Sequence, residues 1–257
     1  MLERIDNLPE GKKIFFASDF HLGVPTKTLS REREKKIVRW LDHVAVEAHT
    51  IFLLGDIFDF WFEYKNAIPK GFARLQGKLA ELTDNGINVV FFIGNHDMWM
   101  FDYFTDELNI PIYREPQSLI INDKKLHIGH GDGLGPGDYS YKFIKKVFRS
   151  PFFQWLYARV HPNTGIAVAN YFSRRSRING GKKGEEKFMG DKEFLWAYCK
   201  EIERKEHHDF YVFGHRHLRL ELEVGEQGKY FNLGEWVNHS TYGEFDGKTF
   251  KLLTFEK

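Results

Sequence analysis

The sequence predicts an α/β fold on three observations. Over the first 93 of its 257 residues, short apolar runs alternate with longer segments whose apolar residues recur at helical spacing. A second group of short β-rich runs closes the chain. Five of the apolar runs stop in a loop carrying aspartate, asparagine or histidine, so polar donors collect where strands end.

The elements follow in order. Residues 13–18 hold Ile14, Phe15, Phe16 and Ala17 and lead into Asp19, a strand and its loop. Ser30 then precedes Ile37, Val38, Leu41 and Val44, the stripe of an amphipathic helix with Ser30 as N-cap and Glu32 and Glu34 in its first turn. Residues 50–54 form a second strand ending in Gly55-Asp56. Residues 70–85 form a helix stopped by Gly86, and 87–93 a third strand ending in Gly94-Asn95-His96-Asp97. This alternation favours parallel pairing, because a parallel crossover has room for a helix. Segments 118–121 and 125–129 read as a hairpin about Asn122-Asp123, its second strand delivering His130. Strands at 210–213, 218–224, 229–233 and 249–255 complete the pattern, with turns at 225–228 and at Asp246-Gly247.

Residues 134–190 interrupt it. Phe143, Ile144, Val147 and Phe148 recur at helical spacing, Pro151 breaks the run, and Phe152, Phe153, Trp155, Leu156, Tyr157 and Val160 form a second apolar stripe. A third short helix is expected at 165–172, then a polar, basic loop from Arg174 to Gly184. The organisation expected is one domain, 1–257, with 134–190 as a helical lid. The chain carries a net +1, yet positions 139–187 hold eleven Lys and Arg against two Asp and Glu, a local +9 that suits something anionic.

Hydrophobic content of 42% and charged content of 28% describe a soluble globular protein with a real core. The lone Cys199 excludes an internal disulfide framework, the start lacks the features of a signal peptide, and no apolar run reaches the roughly 18 residues that spanning needs. A cytoplasmic protein is expected. Basic residues cluster with greasy aromatics in one segment and line no long groove, which argues against nucleic acid and leaves attachment to a membrane surface open.

Asp19 with His21, Asp56, Asn95, His130, and His215 with His217 offer seven oxygen and nitrogen donors of the kind that hard and borderline divalent cations take. Residues two apart in an extended loop project to the same side, so each spaced pair can face one centre. Seven donors suffice for two ions about 4 Å apart if Asp56 bridges them. Turn propensity accounts for Gly and Asp in such loops but gives no reason for His at 21, 96, 130, 215 and 217.

Asp-x-His (19–21), Gly-Asp-x-x-Asp (55–59), Gly-Asn-His-Asp (94–97), Gly-His-Gly-Asp (129–132) and Gly-His-x-His (214–217) together resemble the ordered signature of the calcineurin-like metallophosphoesterases. The resemblance implies a two-sheet αββα sandwich with a dinuclear site at the sheet edge. It gives one metal to Asp19, His21, Asp56 and His217, and the second to Asp56, Asn95, His130 and His215. Two Mn2+ are the cofactor implied, with Fe2+ or Zn2+ open by ligand type. It also implies that His96 meets the phosphoryl group and protonates the leaving oxygen, that Asp97 orients the other nitrogen of His96, and that Asp59 and Asp132 shape their loops.

By residues 18–23, 55–61, 130–133, Asp138-Tyr139, 232–236 and the place of the insertion, the chain is similar, within the family, to enzymes that cleave the pyrophosphate of UDP-2,3-diacylglucosamine in lipid A biosynthesis. This likeness implies a nucleotide-linked glycolipid substrate, release of UMP and 2,3-diacylglucosamine 1-phosphate, and substrate contacts from Asn95, His96, Asp138 and His215; Lys183 and Lys187, which it does not align, are put forward for phosphate contacts from the basic stretch. An aromatic lid would cover acyl chains and hold the protein peripherally on the cytoplasmic face of the inner membrane. Many members of that group carry Arg where this chain has His96. The alternative reading is therefore a metal-dependent phosphodiesterase or phosphatase acting on another nucleotide or phosphorylated small molecule.

Overall fold

The computed structural model describes residues 4–137, 139–183 and 187–256, the side chains of 174–183 excepted. Its first half builds most of one sheet: β1 (Lys13–Ala17), α1 (Lys27–Ala45), β2 (Ala48–Leu54), α2 (Ala73–Asp84), β3 (Asn88–Phe92), α3 (Tyr103–Leu108) and β4 (Ile112–Tyr113). Strands β1 to β4 run parallel. A second sheet is made of β5 (Gln117–Ile121), β6 (Lys124–Gly129), β7 (Phe210–Phe213), β8 (Arg219–Val224) and β9 (Gly228–Leu233), in the order β5-β6-β7-β9-β8. The last strands, β10 (Thr241–Phe245) and β11 (Phe250–Thr254), return to the first sheet, whose order is β11-β10-β1-β2-β3-β4.

The strands are apolar on consecutive residues because both faces of each sheet are covered. Ile14, Phe16, Phe52, Leu54 and Phe92 of one sheet meet Leu126, Ile128, Val212 and Phe231 of the other in a shared core. The alternate residues Phe15, Ile51, Leu53 and Phe91 face outward onto Ile37, Trp40, Leu41, Leu75 and Leu79 of α1 and α2. Outside the second sheet, Tyr211, Phe213 and Tyr230 pack on Leu195 and Cys199. The layers are therefore helix, sheet, sheet, helix: the αββα sandwich.

The insertion supplies α4 (Tyr139–Arg149), α5 (Pro151–Tyr157) and α6 (Pro162–Lys183), and α7 (Phe194–Lys205) follows it. No residue of α4 or α5 is buried, and Tyr139, Phe143, Phe152 and Trp155 are each more than half exposed. Two expectations are corrected. The basic stretch beginning at Arg174 continues the helix, since Arg and Lys are good helix formers and no proline interrupts it. Helix α1 starts earlier than expected, with Thr26 as its N-cap accepting from the amide of Leu29 at 3.2 Å; Ser30 instead accepts from the amide of Gly23 at 2.7 Å and braces the loop after β1.

Candidate metal centre

All five donor loops leave the C-terminal ends of strands. In register, Ala17 pairs with Leu53, Leu54 with Phe92, and Gly129 with Phe213, so β1, β2 and β3 end side by side, as do β6 and β7. Three of the loops then turn sharply: Asp19, His21, Asp56, His215 and His217 all adopt left-handed backbone, φ between 45° and 69°. Such close approach leaves no room for extra carbon. A Cβ on Gly94 would lie 2.5 Å from the amide nitrogen of Asp56 and overlap its carboxylate.

One set of donors is tight. The ligand atoms of Asp19, His21, Asp56 and His217 all lie within 4.8 Å of one another. Nε2 of His21 faces Nε2 of His217 at 3.0 Å, and Asp19 Oδ1 stands 3.2 Å from His217 Nε2 and 3.6 Å from His21 Nε2. A second set adjoins it. His130 Nε2 lies 3.3 Å from Asn95 Oδ1 and 3.4 Å from Asp56 Oδ2, and the rings of His130 and His215 have centroids 5.2 Å apart. Asp56 Oδ2 is also 3.8 Å from His21 Nε2, so one carboxylate oxygen stands between the two sets. Its partner, Oδ1, accepts from the amide of His96 at 2.9 Å.

The electrostatics fit a cation. Burial resists charge on Asp19, but hydrogen bonds with His21 and His217 hold its carboxyl well below the usual range; burial resists charge on Asp56 likewise, and the neighbouring His130 and His96 hold it down. His130 feels the converse. Burial opposes its proton, yet Asp56, then Asp19 and Asp132, raise it to about 10. His215, buried and next to His130, is lowered to about 4. Buried carboxylates thus demand positive charge, which a metal can supply in place of the His130 proton. Asp19 Oδ1 is enclosed, with His217 Nε2 at 3.2 Å and His21 Nε2 at 3.6 Å beside it, an acceptor suited to an ion. His130 donates from Nδ1 to the carbonyl of Leu54 at 2.8 Å, which turns Nε2 toward Asp56 and Asn95 as ligation requires. Carboxylate, amide oxygen and imidazole fit divalent cations, and these residues can hold them.

Asp97 does not orient His96. Its carboxylate accepts from the amides of Ile57 and Gly94, both at 2.7 Å, and of Asp56 and Phe58, both at 3.3 Å; burial, then repulsion from Asp56, raises it to about 7. Consecutive side chains diverge, and Asp97 points into the floor. The group facing His96 Nδ1 is Asp59, through its carbonyl at 3.0 Å and carboxylate Oδ1 at 3.5 Å. The same Oδ1 is 3.7 Å from His21 Nδ1, and Ser173 of α6 donates to Oδ2 at 2.8 Å. Asp132 accepts from the Tyr141 hydroxyl at 2.6 Å and Lys145 Nζ at 2.7 Å, tying α4 to the same edge.

Of the residues expected to touch substrate, Asn95, His96 and His215 meet at this centre. Asp138 and the Lys183 side chain lie outside the described residues. Lys187 is exposed, its carbonyl accepting from Arg216 at 3.1 Å. Sequence reasoning missed Ser173 and the buried pair Arg216–Glu193, 2.5 Å, which braces the loop between His215 and His217. A charged residue between two histidines at a strand end was the available signal for Arg216.

Beside Asp59 a cavity of about 830 Å3 opens between the start of α1, the 67–74 loop and α6, with Phe60, Ile68, Phe72 and Ile166 in its wall and Lys27 and Arg31 at its rim.

The family model described as calcineurin-like phosphoesterase matches residues 12–219. A UDP-2,3-diacylglucosamine hydrolase of Porphyromonas gingivalis is 35% identical over 256 residues, covering 95% of this chain and 98% of the relative. One from Histophilus somni is 24% identical over 247 residues, covering 94% and 100%. Among solved structures, a phosphoesterase from E. coli superposes with a TM-score of 0.44 at 17% identity, covering 95% of this chain and all of the other. With its signature loops gathered where strands of both sheets end and the family model spanning most of its length, the chain belongs to the calcineurin-like phosphoesterases.

Proposed function

We propose that this protein is a metal-dependent hydrolase that cleaves the pyrophosphate of UDP-2,3-diacylglucosamine to UMP and 2,3-diacylglucosamine 1-phosphate. The observation that carries the hydrolytic chemistry is the position of Asp56 Oδ2, 3.4 Å from His130 Nε2 and 3.8 Å from His21 Nε2, between two sets of donors. The substrate is proposed from the names of the two relatives, each matched over nearly its full length.

Asp19, His21, Asp56 and His217 would hold one cation, and Asp56, Asn95, His130 and His215 the other, with manganese the proposed ion. The chemistry supplied by such a pair is Lewis acidity toward the phosphoryl oxygens where negative charge develops. The remaining work belongs to the chain's own side chains. His96 donates from Nδ1 to the Asp59 carbonyl, leaving Nε2 to donate to the oxygen of the departing 2,3-diacylglucosamine 1-phosphate as water adds to the α-phosphorus and the bond to the leaving oxygen breaks. Asp97 pins the loops that carry Asp56 and Asn95.

The insertion acts as a lid. Its exposed aromatics, with the cavity beside Asp59, would take acyl chains, each buried methylene contributing about 0.8 kcal/mol. The same face would let the protein sit on the cytoplasmic surface of a membrane; among the described residues no helix is long and apolar enough to cross one.

The test is a product assay with manganese on UDP-2,3-diacylglucosamine beside a panel of nucleotides and phosphomonoesters. UMP release from the lipid substrate is expected. Turnover of the soluble panel with the lipid untouched would overturn the substrate and leave a phosphodiesterase or phosphatase.

A further inference from the structure

Helix α6 lays one hydroxyl on the floor of the centre. Ser173 Oγ donates to Asp59 Oδ2 at 2.8 Å and lies 3.4 Å from His96 Nδ1. A serine inside a helix ordinarily bonds back to a carbonyl of its own helix or to water. This one instead spends its only proton on an acid 114 positions away in sequence. The other oxygen of that acid faces His96 Nδ1 at 3.5 Å and His21 Nδ1 at 3.7 Å.

The torsion of a carboxylate about its last bond is soft, so one oxygen is aimed only if the other is held. Asp59 is 2% exposed, so little water competes with the Ser173 hydroxyl for Oδ2. Holding Oδ2 from α6 therefore fixes where Oδ1 points. That in turn adds a side-chain restraint at Nδ1 of His96, beside the backbone one from the Asp59 carbonyl at 3.0 Å, and sets the oxygen that faces Nδ1 of His21.

We propose that Ser173 is a positioning residue for His96, acting through Asp59, and that it couples the seating of the helical insertion on the core to the alignment of the group that meets the substrate. The inference rests on the proposed function for the identity of the reaction, while its geometry stands apart from the choice of substrate. Seated, α6 supplies the donor that Asp59 needs. Unseated, the carboxylate swings and His96 loses its side-chain restraint.

Manganese-loaded full-length Ser173→Ala and Ser173→Thr are compared with the parent on UDP-2,3-diacylglucosamine and on bis(p-nitrophenyl) phosphate. Manganese content is measured on the same samples, and the imidazole nitrogens are followed by 15N NMR on the metal-free proteins. Expected for Ser173→Ala is a kcat about tenfold lower on both substrates with KM within about twofold and manganese content unchanged, as for removal of one charge-assisted hydrogen bond. Threonine, which keeps the hydroxyl, should restore most of the rate. The Nδ1–H signal of His96 should stay discrete in the parent and the threonine variant and average in the alanine variant. In an Asp59→Asn background, adding Ser173→Ala should change kcat by less than about twofold. An unaltered kcat, a rise in KM alone, a loss that threonine does not restore, or an undiminished loss in the Asp59→Asn background would each overturn the proposal. Should alanine unsettle the fold, the threonine variant and the double variant still decide. If the parent cleaves the diester but not the lipid nucleotide, the substrate reading fails and Ser173 is judged on the diester.

Discussion

Asp97 accepts a hydrogen bond from the backbone amide of Ile57 at 2.7 Å, and so clasps the loop after β3 to the loop after β2. Its remaining bonds also go to backbone amides, all of them donors. Asp97→Asn would turn an amide NH2 toward some of those N–H groups and leave buried donors unsatisfied, a loss of about 1–3 kcal/mol. A lowered Tm together with weaker manganese binding is expected. Unchanged melting and metal content would show that the clasp is dispensable.

Asp56 and His96 separate metal from chemistry. Asp56→Ala removes the oxygen between the two donor sets, and metal analysis of the folded variant should find both ions lost, with turnover gone. His96→Ala removes no proposed ligand. It should keep its metal and lose turnover by about two orders of magnitude or more, the usual worth of a proton donor. Full turnover in folded Asp56→Ala would contradict the two-ion arrangement.

A pH dependence is built into the far face of the second sheet. Beneath α7, His127 lies 3.0 Å from both the Ser118 hydroxyl and the Tyr198 hydroxyl, while His208 Nε2 lies 2.8 Å from Ser118. Burial, then the neighbouring His208, lowers His127 from 6.5 to about 4; burial lowers His208 too. The unfolded chain thus takes up protons that the folded one refuses. The stability His127 contributes is full above about pH 6.5 and is lost as pH falls toward 4, by at most about 1.4 kcal/mol per pH unit, and His208 acts in the same direction. Melting curves should show Tm falling below pH 6.5, less steeply in His127→Gln. Identical slopes for the two proteins would refute the assignment.

The centre was legible in the sequence because each donor follows its own apolar strand, and parallel strands end on one side. Strand β10 was not. Thr241, Gly243 and Glu244 interrupt its apolar pattern, and Gly243 is required there because the ring of Phe250 fills the space a side chain would take. The partner of His96 was misread for a related reason: proximity along the chain put Asp97 forward, whereas the fold brings Asp59 across 37 residues. Ser173 was illegible because its role depends on where a long helix comes to rest, which no local pattern encodes.

The left-handed turns at Asp19, His21, Asp56, His215 and His217 set stability against chelation. Each holds a side-chain-bearing residue where glycine would rest more easily, at roughly 1–2 kcal/mol apiece. Replacing any of them by glycine would relax the polypeptide while deleting a donor. A chain evolving toward heat resistance alone would therefore drift away from binding metal, and one kept for its metal must stay somewhat less robust than its architecture allows.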